Sequence, residues 1–189
     1  MDLRSRVSRR VGVSAAVGGL AVLLPAMALA ATGPAPARSA QGGQPAFAPA
    51  CTDGQTQVWA GVPGDGTAGA VFYQLEFSNT GAATCTLFGF PGVSAVRPNG
   101  HQVGLAASRT GFHGLVTLMP GETGHAVLEV TDAGAVCAHP VKAAGLRVYP
   151  PGQTEAQPAQ LAIQVCANRG TLQVRAVHAG TGIPGFTTR

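Results

Sequence analysis

Five histidines, His101, His113, His125, His139 and His178, are the side chains best suited to chemistry, because neutral imidazole is the commonest metal ligand and titrates near neutral pH. Their spacing is poor for a local metal site. No two lie three or four residues apart, no cysteine pair forms C-x-x-C, and Met119 is the only methionine beyond the first 30 residues. The twelve-residue steps from His101 to His113 to His125 could still gather imidazoles on neighbouring strands. That keeps a metal-binding reading as an alternative to solvent-facing strand and loop histidines.

Nucleophilic catalysis has less support. A serine hydrolase needs an activated Ser with a His base and an orienting carboxylate, and beyond residue 30 only Ser39, Ser78, Ser94 and Ser108 are available. Gly92-Val93-Ser94-Ala95-Val96 lacks the second Gly of a nucleophile elbow and reads as a strand. The carboxylates are dispersed, and no Gly-rich phosphate loop precedes a helix. We therefore assign no catalytic, cofactor-binding or metal residue and expect no enzyme; a secreted hydrolase or histidine metal site is the alternative.

The elements that would position these side chains are strands. From Val71 to Ser78, Val71, Tyr73, Leu75 and Phe77 alternate with Phe72, Gln74, Glu76 and Ser78, so the first set should face a core. Phe72 falls on the polar face, where it is either covered by a neighbour or open to a partner. Asn79-Thr80-Gly81 reads as a turn of residues that tolerate positive φ. Val93 to Val103 reads as a hairpin around Pro98-Asn99-Gly100, and Leu115 to Met119 and His125 to Val130 as strands around Pro120-Gly121. Leu146 and Val148, then Leu161, Ile163 and Val165, then Leu172, Val174 and Ala176 give three more alternating faces. About seven to nine strands follow, and most of Trp59, Phe72, Tyr73, Phe77, Phe88, Phe90, Phe112 and Tyr149 should be core, any remainder forming a binding patch.

Met1–Arg10 is basic, Val11–Leu24 is an apolar run too short for a comfortable membrane span, and Ala28-Leu29-Ala30 before Ala31 has the pattern of a signal-peptidase site. Residues 1–30 are read as a signal peptide cleaved between Ala30 and Ala31. Ser8-Arg9-Arg10-Val11-Gly12-Val13 weakly resembles a twin-arginine signal. Residues 31–50, rich in Ala, Pro, Gly and Gln, and the similar segment 179–189 read as a disordered linker and a flexible tail around a domain at 51–178.

The net charge of +4 divides unevenly: +3 lies before Ala31, leaving eight cations against seven acids afterwards. Those cations are scattered singly, which argues against a nucleic-acid partner. Charged residues are 11% of the chain, and a single Lys, Lys142, fits the bias of a GC-rich genome. The expected product is a secreted monomer without a stable membrane anchor or cofactor, whose partner is an unknown protein or cell-wall ligand.

Export makes oxidation of Cys51, Cys85, Cys137 and Cys166 the expectation, and four cysteines allow three connectivities. A turn around Pro63 to Thr67 would reflect Cys51 onto Asn79, close to Cys85. A hairpin near Thr154 would reflect Cys166 onto Lys142, close to Cys137. Sequence-order pairing follows.

Leu75-Glu76-Phe77-Ser78-Asn79-Thr80-Gly81 and Cys85-Thr86-Leu87-Phe88-Gly89-Phe90-Pro91-Gly92-Val93, followed by Gly100, Leu118-Met119-Pro120-Gly121, Cys137, Val148-Tyr149-Pro150-Pro151 and Cys166, resemble the bacterial domain of unknown function 4232 family. The order of these pieces is what is specific, and it spans Cys51 to about Val177. The resemblance implies an extracytoplasmic, immunoglobulin-like β-sandwich of the kind found mostly in actinobacterial secreted proteins and lipoproteins, with no established activity. No lipoprotein cysteine adjoins the cleavage site here. The function expected is a non-catalytic binding or cell-envelope module.

Overall fold

The alternation along Val71–Ser78 becomes β2 (Ala70–Asn79), which pairs antiparallel on both sides, with β1 (Thr56–Thr67) and β7 (Thr123–Thr131). The computed structural model describes residues 47–181, apart from the side chains of residues 62–65. The expected signal peptide, its Ala30–Ala31 junction, most of the linker and residues 182–189 lie outside the described residues.

Beyond β7 the sheet continues through β12 (Leu172–Arg175) to β5 (Ser108–Thr110), giving the order β1-β2-β7-β12-β5, and β13 (His178–Ala179) also pairs with β7. The β5–β12 pair is parallel. Facing this sheet are three smaller ones. β10 (Gln157–Ala159), β9 (Gly145–Tyr149) and β4 (Gly92–Val96) form one; β11 (Ile163–Val165) with β8 (Val141–Ala143) and β3 (Cys85–Phe88) with β6 (Leu115–Leu118) form the others. A single turn of helix, α1 (Ala133–Val136), is capped by the Asp132 carboxylate, which accepts from the Gly134 N–H.

The fold is all-β, with sheets packed face to face. Leu75, Phe77, Leu128 and Val174 of the large sheet meet Val93, Leu146 and Val148, Val165, and Leu87 and Leu118 of the smaller ones. Each such side chain stabilises the fold by about 1.5–3 kcal/mol when fully buried. Thirteen strand segments are present among the described residues, more than the seven to nine read from alternation. The excess is in segments of two or three residues, too short to alternate visibly.

Three local readings are corrected. Neither Asn79 nor Gly81 has positive φ. Asn79 is instead fully buried, donating Nδ2 to the carbonyls of Ala83 and Leu118 and accepting the Gly81 N–H at Oδ1. Gly81 is required by space, since a Cβ there would lie 2.7 Å from Gln55 Cγ. The β1–β2 turn comes later than Pro63 to Thr67, because Thr67 still pairs with Ala70 and bulges interrupt the register, so Thr56 rather than Cys51 lies opposite Asn79. Likewise Gln164, not Cys166, lies opposite Lys142.

The structure joins Cys51 to Cys85 and Cys137 to Cys166, with Cα separations of 4.8 and 6.0 Å. Residues flanking 51–178 also pair with it. Thr86 donates its N–H to the Pro49 carbonyl and Ala50 bridges to Thr86, while Ala179 pairs with Gly124.

Candidate functional site

The inward face of β2 is covered along only part of its length. Leu75 is 0% exposed, yet Val71, four residues earlier on the same face, is 36% exposed and Tyr73 between them is half-buried. The opposing β8–β11 pair has only three rungs, so this end of the sandwich is left open. The result is a groove of about 710 Å³ with Val71, Tyr73, Val130 and Ile163 along its floor. Its polar lining comprises Thr67, Thr131, Asp132, Lys142 and Gln164. Lys142 and Gln164 are exposed and directly opposite each other on β8 and β11. Size and makeup fall within the range of small-molecule sites. Among the described residues no His, Ser, Cys or Glu lines it.

A second feature is exposed and aromatic. Phe88 and Leu115 are direct partners at the end of the β3–β6 pair and both are exposed. The His113 ring stands edge-on to Phe88 and Phe90, with centroids 4.8 and 5.4 Å away. Phe112, next to His113 in the chain, is 97% exposed. The expectation that most aromatics are core is therefore corrected: Phe72 and Phe77 are buried, while Trp59, Phe88, Phe112 and Tyr149 are exposed. Phe72 is covered, on the face its alternation assigned to polar residues.

The outer face of the large sheet holds a third cluster. Register aligns Trp59 with Glu76, Glu76 with His125, and His125 with His178, across β1, β2, β7 and β13. His125 is 2% exposed, and its Nδ1 lies 2.8 Å from the Gly180 carbonyl. A carbonyl only accepts, so Nδ1 carries the proton and Nε2 holds a lone pair, which has no hydrogen-bond partner among the described residues. Burial holds the His125 imidazole below the usual histidine range; the bond to Gly180 opposes this and the charge of His178 adds to it. Glu76 is buried too, with Oε1 accepting from Gln74 Nε2 at 2.8 Å, and burial raises its carboxyl above the usual range.

The twelve-residue histidine series does not converge: His113 joins Phe88 and Phe90, whereas His125 meets His178 at a centroid distance of 6.1 Å. Among the described residues no three His, Cys, Asp or Glu are placed to hold a metal ion. Ser94, the strand serine weighed as a nucleophile, sits in β4 opposite Arg147.

Residues 51–178 match the family model described as Domain of unknown function (DUF4232). The chain belongs to this family. No curated protein and no solved structure matches it. The geometry accounts for several residues of the DUF4232 pattern in this chain. Asn79 ties the β2 end to β6, Gly81 admits Gln55, and Cys85 and Cys166 anchor the two disulfides. These are scaffold roles. The groove residues Asp132, Lys142 and Gln164 lie outside the segments that carry the resemblance, and sequence reading passed over them. Their signal was weak: Lys142 is the single lysine of the chain. Two disulfides suit an oxidising compartment, and among the described residues no helix is long and apolar enough to cross a membrane.

Proposed function

We propose that this DUF4232 protein is exported by its residues 1–30 and acts as a non-catalytic binding module, engaging a protein or cell-wall ligand outside the cytoplasm. The observation that carries the reading is the exposed strip of Phe88, Leu115, Phe112 and His113. Exposed apolar patches of this kind mark interaction sites, and aromatic residues dominate binding hot spots. Among the described residues the groove lining offers hydroxyl, amide, ammonium and carboxylate groups suited to holding a ligand.

Cosedimentation with purified cell walls, and capture from culture supernatant, test this directly. The wild-type chain should be retained by one of the two, and Phe88→Ser with Leu115→Ser should abolish retention while the fold persists. Equal retention of the double variant, or hydrolysis of an esterase, peptidase or glycosidase substrate by the wild-type chain, would count against the reading.

A further inference from the structure

We propose that the groove between the β2–β7 end and the β8–β11 pair is a binding site for an uncharged glycan segment. This goes beyond the aromatic strip, which lies on different strands. The site exists because a face that alternation assigns to the core is left partly uncovered, with Val71 exposed and Tyr73 half-buried where Leu75 and Phe77 are sealed. Apolar side chains of a core face are exposed at a cost unless something covers them, and such local departures from the pattern concentrate at functional sites.

The lining chooses among occupants. Among the described residues its charged members are one acid, Asp132, and one cation, Lys142, so net charge there favours neither an anionic nor a cationic ligand. A lipid chain fits poorly beside Thr67, Thr131 and Gln164, whose donors and acceptors would lose water without replacement. A peptide adding as a strand finds no open backbone edge on the floor strands β2 and β7, each paired on both sides, and only a three-residue edge on β8 or β11. What remains is a ligand with an apolar ring face and hydroxyls around its rim that both donate and accept. Tyr73 supplies an amphipathic ring in the floor. Lys142 supplies donors, Gln164 both donors and an acceptor, and Asp132 acceptors. The Asp132 carboxylate engages only Oδ1, with the Gly134 N–H, so Oδ2 has no partner among the described residues. The facing pair Lys142 and Gln164 presents two polar groups side by side. A pyranose ring matches that arrangement.

Amide chemical shifts of the labelled chain, titrated with a β-1,4-linked N-acetylglucosamine hexasaccharide and with a neutral hexose oligomer of the same length, test the proposal. A hyaluronan fragment and an Ala/Gly/Pro-rich decapeptide serve as comparison arms. Shifts from at least one neutral oligosaccharide should concentrate on Tyr73, Thr131, Lys142 and Gln164. Tyr73→Ala should weaken binding at least about tenfold, and the exposed-site variants Lys142→Ala and Gln164→Ala should weaken it without touching the core. Glu155→Ala, exposed beside Asp53 near the other end of the β1–β2 pair, should bind like the wild type. The proposal is overturned if both neutral oligosaccharides leave the groove amides unmoved, if only the anionic fragment or the peptide moves them, or if Lys142→Ala and Gln164→Ala bind as the wild type does. The strip is tested by cell-wall and supernatant retention with different variants, so either site can fail alone.

Discussion

The backbone N–H of Val58 donates to the side-chain Oε1 of Gln157 at 2.9 Å, while Gln157 Nε2 donates to the Thr56 carbonyl at 2.6 Å. A single amide group on β10 thus stands in for a neighbouring strand along β1, the edge of the large sheet. Gln153 adds a buried exchange with the Thr56 hydroxyl. Edge strands left bare invite association with other chains, so the contact both joins the layers and blunts an edge. Gln157→Ala should lower unfolding free energy by about 1–3 kcal/mol, because it leaves a backbone donor and acceptor without partners. Urea titration measures the loss, and an unchanged midpoint would refute the role.

His125 sets an acid limit on stability. Its imidazole is held below the ordinary value of 6.5, so the unfolded chain binds a proton more readily than the folded one. The contribution is fully present above 6.5 and is lost as pH falls toward the lowered folded value. Urea midpoints on either side of 6.5 should show stability rising with pH, and His125→Gln should flatten that part of the profile.

Glu76, directly opposite His125, carries the reverse sign. Its carboxyl is raised above the ordinary 4.5, so its contribution is complete below 4.5 and is lost as pH rises through the raised value. Glu76→Gln keeps the shape and an acceptor for Gln74. The variant should be more stable than the wild type at neutral pH and show no advantage in acid, as thermal melts at the two conditions would reveal.

The disulfides span 34 and 29 residues, for which the chain-entropy model gives about 3.5 kcal/mol each. Replacing Cys137 and Cys166 together with Ala should cost about that amount in a denaturant titration. Non-reducing peptide mapping of the wild type should find no peptide joining the first pair to the second.

What could be read in advance follows from how far each determinant extends along the chain. β2 and β7 were legible because apolar residues recur at every second position through Val71–Ser78 and His125–Val130, even though both faces are buried in places, and the Pro120-Gly121 turn because Gly121 takes φ 82°. β10 was not, since Gln157-Pro158-Ala159 carries a proline that only an edge position tolerates. The work of Asn79 was misread as turn conformation because its partner Leu118 lies 39 residues away. The groove was invisible for a similar reason. Nothing local separates Val71 and Tyr73 from Leu75 and Phe77; the difference is the length of the sheet opposite. The histidine pair that does form, His125 with His178, depends on a two-residue strand.

Cys51 opens the domain, and its bond to Cys85 has a mechanical meaning. Tension entering through the preceding chain passes across that bond and skips β1 and β2, the strands that carry the sheet edge and half the groove floor. The second bond likewise shelters β8 to β11. A module tethered between two points could therefore be pulled hard and yield only the length outside the loops, at roughly 3.3–3.6 Å per freed residue. Reduction would release the sheltered length, so the redox state of two bonds decides whether the protein behaves under load as a short stiff link or a long extensible one.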